Sequence, residues 1–303
     1  MKVVLVAGGT GGAKLAVGLQ AALAPGDLTV ITNVADDCVF WGLHVSPDTD
    51  SVLFRLAGIF NEEVGFGVAE ETFATMGMMG KLGAPTWFAL GDRDLAFHIL
   101  RTEMLQAGGR LTETSLELAR RLGIATRVLP ATDDPIRTWF ETDQGTLPFQ
   151  EFYVLNRAQP MVCGVSYAGI ELARPSPEVV EALTAADLVV IGPSNPVVSV
   201  WPVLQVLAGN LSGKRTVAIC PTVGGRALKG PTVEMMRSLG RDPSPEGVAR
   251  EYLEVAGGFV LDQQDAASAT AIQSLGYRVV VTDTLMVDPA AAERLARDVL
   301  AGF

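Results

Sequence analysis

The sequence predicts an α/β protein with a doubly wound, mostly parallel, Rossmann-like sheet and a small β-rich insertion. An apolar strand, a glycine cluster, a helical segment and a second apolar strand follow one another within residues 2–32, which is the order of a βαβ unit. Strand and helix patterns then alternate to the end of the chain. The 303 residues are 49% hydrophobic and 19% charged, so the chain can bury a large core without disulfides.

The first half of the chain contains four predicted strands and five predicted helices. A continuous apolar run predicts a strand at 2–7, and further strands are predicted at 28–32, 87–90 and 126–129. Apolar residues at helical spacing predict helices at 13–24, 52–59, 73–82, 92–105 and 112–122. Between these elements, Asn33–Asp50 has no clear periodic pattern. We expect a functional loop there, because long irregular segments inside compact domains usually carry function.

Residues 133–174 differ from the rest of the chain, with short β-type segments at 138–141, 145–149 and 161–165 among turns. We therefore predict a small β-rich insertion at 133–174, within a Rossmann-like nucleotide-binding core made of residues 1–132 and 175–303. After the insertion, a helix leads into an apolar strand at 188–191. Further strands are expected at 216–220, 258–261 and 278–281, with helices between them and a final helix at 289–301.

Charge and residue counts disfavour several classes of protein. A net charge of −11 and a pI near 4.7 argue against nucleic-acid binding, which needs a basic face. No apolar run reaches the ~18 residues that a membrane span needs. The three cysteines form no CxxC pair, and with only two histidines a structural zinc site is disfavoured. We expect a reduced, cytoplasmic protein in which carboxylates would hold Mg²⁺ rather than another metal.

The glycine cluster after the first strand is a candidate phosphate site. It comprises Gly8, Gly9, Thr10, Gly11 and Gly12, and Lys14 follows it. Glycine lets the backbone come close to a ligand, and the N–H groups at the start of the next helix attract anions. Lys14 adds a positive charge for a phosphate. The spacing matches neither a Walker loop nor the GxGxxG fingerprint, and a purely structural tight turn is the alternative.

Four carboxylates follow the second strand, namely Asp36, Asp37, Asp48 and Asp50. Ligands of open α/β sheets bind beyond the carboxyl ends of the strands, so this position suits a site. Two carboxylates at i, i+2 can hold one hard cation, or divide their work between a metal and a substrate hydroxyl. The alternative is that these residues form turns and helix caps, with Asp50 and Ser51 capping the helix at 52–59.

A polar face on the helix at 92–105 is a further candidate. Asp94 and His98 are i, i+4 neighbours, and Arg101 follows three residues later. Arg93 has the fork geometry to clamp a phosphate. The alternative is a solvated helix face with Asp92 as its N-cap.

The turn after the strand at 188–191 places Ser194 and Asn195 between two prolines. The prolines stiffen the turn, which presents a hydroxyl and an amide at the edge of the sheet. Those groups suit recognition of a phosphate or a base. An ordinary strand-ending turn is the alternative.

Taken together, four segments in the same order resemble the 2-phospho-L-lactate transferase (CofD-like) family. They are GGTGGAKL, TNVADD followed by SPDTDSVLF, LGDRDLAFHILR, and GPSNPVVSVWPVL, and the resemblance runs from Val3 to about Leu285. It implies a transferase of coenzyme F-420 biosynthesis. Such enzymes move a phosphorylated three-carbon acid, of the 2-phospholactate or phosphoenolpyruvate type, from a guanosine diphosphate-linked donor to the ribityl hydroxyl of the deazaflavin FO, and GMP leaves. The resemblance also implies Mg²⁺ and a homodimer.

The resemblance assigns roles to the candidate residues. The cluster Gly8–Gly12 and the turn at Ser194 and Asn195 would hold the guanosine nucleotide. Asp50 would contact FO and orient or deprotonate its hydroxyl, while spacing suggests Asp37 and Asp48 as Mg²⁺ ligands, with Asp37 also in the catalytic set. Some members have a lysine that contacts FO where this chain has Ala89, so contact at that position is left to backbone or packing.

Two other functions are weighed against the transferase. One is a nucleotide-sugar-binding regulatory protein of the same superfamily, which shares a similar glycine start. The other is a nicotinamide oxidoreductase, disfavoured because Lys14 stands where the fingerprint needs its third glycine. Binding of a UDP-sugar without any effect of FO would favour the regulator.

Overall fold

The computed structural model describes residues 1–228 and 230–303 and has an α/β architecture. Its strands are β1 (Val3–Ala7), β2 (Leu28–Thr32), β3 (Cys38–Phe40), β4 (Leu43–Val45), β5 (Arg127–Pro130), β6 (Arg137–Thr142), β7 (Gly145–Pro148), β8 (Val162–Ala168), β9 (Leu188–Ile191), β10 (Thr216–Ile219), β11 (Thr222–Val223), β12 (Arg226–Ala227), β13 (Gly258–Asp262) and β14 (Arg278–Thr282). Its α-helices are α1 (Gly9–Ala22), α2 (Pro47–Leu56), α3 (Ala74–Lys81), α4 (Asp92–Gln106), α5 (Leu111–Arg121), α6 (Pro177–Ala185), α7 (Trp201–Leu211), α8 (Thr232–Ser238), α9 (Pro245–Glu251), α10 (Ala269–Ser274) and α11 (Pro289–Gly302). Short π-helical turns lie at Glu151–Leu155 and Pro196–Val200, and a 3₁₀ turn at Gln263–Ser268.

Seven parallel strands form the central sheet, in the order β14-β13-β10-β9-β1-β2-β5. The predicted fold class is therefore confirmed. Val6 of β1 pairs with Ile31 on one side and with Ile191 on the other. The chain builds outward from β1 in one direction through β5 and then returns to β9, so the strand order reverses between β1 and β9. A crevice for ligands opens at the carboxyl ends of strands at such a reversal.

Both faces of the sheet are covered by helices, which explains why the central strands β1 and β9 are unbroken apolar runs. Val3 and Leu5 of β1 point into one hydrophobic core with residues of α1, α2, α5 and α11. Val4 and Val6 point into the other core, with residues of α6, α7, α9 and α10. Within the described residues, no helix has the length and apolar character needed to cross a membrane.

The segment 133–174 contains a three-stranded antiparallel sheet in the order β7-β6-β8. Its inward side chains do not form a core of their own. Phe140, Phe152 and Val162 belong to the same buried cluster as Val4 and Ile191 of the central sheet. The insertion is thus packed onto the core through shared apolar contacts.

Several predicted elements need correction near the amino-terminal half of the site. Helix α1 begins at Gly9, four residues before the predicted start, so the glycine cluster forms its first turn. The predicted loop 33–50 contains the β3–β4 hairpin and the start of α2. Helix α2 begins at Pro47 after Ser46, because proline at the first helical position has a preset φ. Asp50 therefore lies inside the helix and does not cap it.

The segment before α4 also differs from prediction. Residues 87–90 form no strand; Trp87 and Phe88 instead pack around Phe40, with ring centroids 5.3 and 5.4 Å from it. Gly91 is the N-cap of α4, and the carboxylate of Asp92 accepts hydrogen bonds from the N–H groups of Ala74 and Thr75 at the start of α3. The apolar residues of this segment are therefore buried by packing against aromatic rings and not by pairing in a sheet.

Candidate active site

A cavity of about 580 Å³ opens at the carboxyl edge of the sheet, over the reversal between β1 and β9. It collects candidates from all four predicted segments. The predicted residues that line it are Gly9, Thr10, Gly11, Lys14, Asp48, Asp50, Ala89, Asp94, His98, Ser194 and Asn195. The strands bring these segments together because parallel strands end at the same edge.

The glycine turn allows the β1 and β9 loops to approach each other. A Cβ on Gly11 would lie 2.0 Å from the carbonyl oxygen of Pro193, and one on Gly8 would lie 2.3 Å from that of Ser199. The N–H of Gly12 donates to Ser194 Oγ at 3.0 Å, which fixes the contact. The first N–H groups of a helix have no intrahelical acceptor. Those of Gly9 and Gly12 are bonded to Asp48 and Ser194, which leaves those of Thr10 and Gly11, two residues that line the cavity, for an anion.

Asp48 joins the acidic segment to the glycine turn. Its Oδ1 accepts the N–H of Gly9 at 2.7 Å, and its Oδ2 accepts from Asn33 Nδ2 at 3.0 Å. Asn33 Nδ2 also donates to the carbonyl oxygen of Val198 at 3.2 Å, so one amide connects β2, α2 and the β9 loop. Burial raises the pKa of Asp48 to about 6, against the lowering effect of these hydrogen bonds.

Asp36 lines the cavity, whereas Asp37 does not. Burial, with the neighbouring charge of Asp48, raises the pKa of Asp36 well above its usual range, although Thr138 Oγ1 donates to its Oδ1 at 2.9 Å. Asp37 Oδ2 accepts from Ser46 Oγ at 2.7 Å and lies 2.9 Å from His44 Nε2. Asp37 is thus held behind the cavity wall, and Asp36 is the carboxylate that faces the cavity beside Asp48.

The carboxylate oxygens of the acidic segment can be tested for their fit to the predicted Mg²⁺. Across residues 1–228 and 230–303, no group of three metal-ligating side chains is preassembled. Asp36 and Asp48 nevertheless place two mutually repelling carboxylates in a buried position that lines the cavity. Hard oxygen donors of this kind suit Mg²⁺, which is usually held by one or two carboxylates and completes its shell with water or phosphate. The residues therefore fit the ion.

Buried charged and polar side chains of α4 hold the carboxylate of Asp50 in place. Arg101 contacts both oxygens of Asp50, with Nη1 3.0 Å from Oδ2 and Nη2 against Oδ1. The two side chains are 1% and 5% exposed, so the pair lies out of solvent. His98 lies between them and Asp94, with Nδ1 3.7 Å from Asp50 Oδ2 and Nε2 3.4 Å from Asp94 Oδ1. This bidentate pairing fixes the direction of the Asp50 carboxylate.

Two side chains predicted to bind phosphate, Arg93 and Lys14, are hydrogen-bonded to backbone carbonyl oxygens. Arg93 lies outside the cavity, and its Nη1 donates to the carbonyl oxygen of Ala69 at 2.9 Å. It is therefore not placed to clamp a phosphate at the glycine turn. Lys14 does line the cavity, and its Nζ donates to the carbonyl oxygen of Met286 at 2.9 Å. That bond ties α1 to the segment between β14 and α11.

A comparison with known protein families shows to which family the chain belongs. The family model described as 2-phospho-L-lactate transferase CofD matches residues 3–300. The chain belongs to this family. Individual relatives agree: it is 37% identical to the 2-phospho-L-lactate transferase of Methanosarcina acetivorans, over 99% of this chain and 98% of that protein. It is 39% identical to the protein of the same name from Methanopyrus kandleri, over 99% and 97%.

The CofD family includes relatives named for a different acid. A phosphoenolpyruvate transferase of Streptomyces avermitilis is 38% identical to this chain, over 99% of it and 98% of the relative. Among solved structures, a UPF0052 family protein from Bacillus halodurans covers 99% of this chain with a TM-score of 0.61 at 19% identity. At that identity the likeness shows the fold alone.

The CofD-family cavity also contains residues that the sequence analysis missed. From the insertion they are Phe149, Gln150, Tyr153 and Val154, and from the amino-terminal half they include Phe54, Phe66, Trp87 and Phe88. The aromatic residues at i, i+4 in the segment 149–153 were the available signal. Their use depends on how the insertion folds back over the sheet, which spacing alone does not show.

Proposed function

We propose that this CofD family member transfers a phosphorylated three-carbon acid from a guanosine diphosphate-linked donor to the ribityl hydroxyl of FO, releasing GMP, in coenzyme F-420 biosynthesis. The observation that carries the proposal is the 2.7 Å hydrogen bond from Gly9 to Asp48, which joins a phosphate-type turn to a carboxylate cluster in one cavity. The names of relatives at 37–39% identity support it. A cytoplasmic homodimer is the proposed form of the enzyme.

The donor nucleotide is assigned to the glycine turn and the β9 loop. Thr10 and Gly11 line this side of the cavity, and a diphosphate is the anion that such a helix start recognises. Asn195 accepts the N–H of Val197 at 2.9 Å, which orients its amide beside Ser194. Both residues then form the part of the wall nearest the nucleotide.

The acceptor FO is assigned to the aromatic half of the cavity, where Phe54, Phe66, Trp87 and Phe88 lie. A planar deazaflavin ring stacks favourably on such side chains. Ala89 contributes only backbone and a methyl group there. Asp50 also lines the cavity, and its carboxylate, held by Arg101, would accept a hydrogen bond from the ribityl hydroxyl and then its proton.

The reaction forms a bond between the ribityl oxygen and phosphorus as the phosphorus–oxygen bond to GMP breaks. Phosphoryl transfer needs little covalent help from a protein, so positioning and charge neutralisation dominate. Asp36 and Asp48 would hold Mg²⁺, which supplies charge neutralisation to the diphosphate oxygens. Asp36 thereby takes the place proposed from the sequence for Asp37.

The test is a product assay with purified protein, FO, Mg²⁺ and guanosine diphosphate-linked donors of phospholactate, phosphoenolpyruvate and phosphoglycerate. We expect one donor to give a product with the mass of FO plus the transferred group, together with GMP. No product from all three donors would contradict the proposal. UDP-glucose serves as the control ligand: tight binding with no turnover would favour the regulatory protein instead.

A further inference from the structure

The insertion contributes a wall to the cavity as well as packing onto the core. Phe149, Gln150, Tyr153 and Val154 line the same space as Gly9 and Gly11. Tyr153 lies in the π-helical turn Glu151–Leu155, and such turns are rare and frequently occur at functional sites.

This wall is fixed to the acidic segment by specific bonds. Gln150 Nε2 donates to the backbone oxygen of Asp36 at 2.8 Å, and Thr138 Oγ1 donates to Asp36 Oδ1 at 2.9 Å. The ring of Tyr153 stacks on that of Phe149, with centroids 5.4 Å apart and planes 8° from parallel. Backbone and ring are thus positioned independently of the phenolic hydroxyl.

The hydroxyl of Tyr153 lies close to Gly230, which also lines the cavity. A Cβ added to Gly230 would lie 3.0 Å from Tyr153 Oη. Among the residues that the structure describes, none is hydrogen-bonded to this Oη. Burial and the charges of Asp48 and Asp36 raise the pKa of Tyr153, so the hydroxyl keeps its proton at neutral pH and acts as a donor.

We propose that the hydroxyl of Tyr153 donates a hydrogen bond to a phosphate oxygen of the nucleotide held at the glycine turn. The inference rests on the proposed function and adds a residue from the insertion to the donor site. Tyr153, Asp48 and Gly9 line the same cavity, and Asp48 Oδ1 accepts the N–H of Gly9 at the start of α1. A hydroxyl donating to an anionic oxygen forms a stronger bond than one between neutral groups.

The test compares GDP binding by the wild-type protein, Tyr153→Phe and Tyr277→Phe, with Mg²⁺ present, by isothermal titration calorimetry. Tyr153→Phe keeps the ring and its stacking and removes only the hydroxyl. Loss of a hydrogen bond to a charged group weakens binding roughly ten- to a hundredfold. Tyr277→Phe is the matched control, because its hydroxyl donates to the carbonyl oxygen of Ala249 at 2.7 Å, away from the cavity.

We expect Tyr153→Phe to weaken GDP binding by about tenfold or more, with Tyr277→Phe within about twofold of wild type. Unfolding temperatures measured in parallel separate binding from folding, since a purely structural role lowers the unfolding temperature without this selective loss. GDP affinity within twofold of wild type in a folded Tyr153→Phe variant overturns the inference and leaves the proposed function standing. Absence of GDP binding by the wild-type protein contradicts the proposed function itself.

Discussion

At the scale of single residues, the buried pair of Asp50 and Arg101 has consequences for both stability and turnover. The two groups are joined by a bidentate contact with almost no access to solvent. Removing one member of a buried pair leaves the other charge without compensation, which is far more destabilising than replacing both.

We predict that Arg101→Met and Asp50→Asn each lower the free energy of unfolding by about 3–5 kcal/mol, and that the double variant lies closer to wild type. Urea denaturation measures these values. Turnover separates the roles: Asp50→Asn and the double variant should both lose roughly 10²–10⁴ in kcat, since neither has the carboxylate. Additive losses of stability, or near-normal turnover in Asp50→Asn, would contradict this account.

Which site residues were predictable depends on whether their position follows from a strand end. Ser194 and the glycine turn follow the buried strands β9 and β1 directly or closely, so the sequence places them at one edge, whereas Asp48 reaches that edge only after the β3–β4 hairpin. The contact between Asp50 and Arg101 joins residues 51 positions apart and depends on the packing of α2 near α4. The choice between Asp36 and Asp37 depends on the local turn of the backbone, which spacing does not fix.

At the scale of elements, α3 and α4 stabilise each other's starts. Asp92, the first residue of α4, accepts two N–H groups from the start of α3, and Glu71 accepts the N–H groups of Arg93 and Asp94 at the start of α4. The hydroxyl of Thr72, which donates to Asp92 Oδ2, and the bonds from Thr75 and Ala74 lower the pKa of Asp92 well below its usual range. These hydrogen bonds connect the start of α3, which precedes Trp87 and Phe88, to α4, the helix that carries Arg101.

The glycine turn permits a prediction at the same scale. Gly11→Ala should push the β1 and β9 loops apart, because the new Cβ would overlap the carbonyl oxygen of Pro193. That oxygen belongs to the backbone and cannot swing aside as a flexible side chain could. We expect a loss of about 1–3 kcal/mol or more in the free energy of unfolding, with weakened GDP binding.

Gly209→Ala is the matched control for that prediction. Gly209 lies in α7, and a Cβ added there would have nothing within 4 Å of it, so alanine should stabilise the helix by roughly 0.5–1 kcal/mol. Equal stabilities of the two variants, measured by urea denaturation, would show that the close approach at Gly11 is not a constraint.

Elements were predicted well where burial is continuous and poorly where they are short. The strands of the central sheet are apolar runs and were placed within a residue or two. The hairpin of β3 and β4 has three residues in each strand, too few for a recognisable alternation. Residues 87–90 are apolar enough for a strand, but their side chains pack into an aromatic cluster with no partner strand beside them among the described residues.

At the scale of the whole molecule, the buried carboxylates make stability depend on pH. Asp48 has a pKa of about 6 in the folded protein, above its ordinary value of 3.8. Its neutral form is therefore favoured by folding, and that contribution is fully present below 3.8 and is lost as the pH rises through about 6.

We predict that Asp48→Asn gains stability relative to wild type between pH 4.5 and 7.5, by on the order of 2–3 kcal/mol in total, because asparagine cannot ionise. Thermal unfolding at the two pH values measures it, with the exposed Asp143→Asn as control. Adding MgCl₂ at pH 7.5 should raise the unfolding temperature of wild type and leave that of Asp48→Asn nearly unchanged. The assignment of Asp48 would be contradicted if Asp48→Asn and Asp143→Asn showed the same pH response. It would also be contradicted if Mg²⁺ raised the unfolding temperatures of wild type and Asp48→Asn equally.

The place of β1 in the sheet determines when the site can assemble during synthesis. Val6 needs Ile31 on one side and Ile191 on the other, and Lys14 finds its acceptor only at Met286. A nascent chain that has left the ribosome up to the insertion already carries the complete glycine turn, yet the strand that flanks it has not been translated. Truncated products of such a chain expose an unpaired apolar strand edge, which makes them targets for chaperones and proteases rather than partial enzymes.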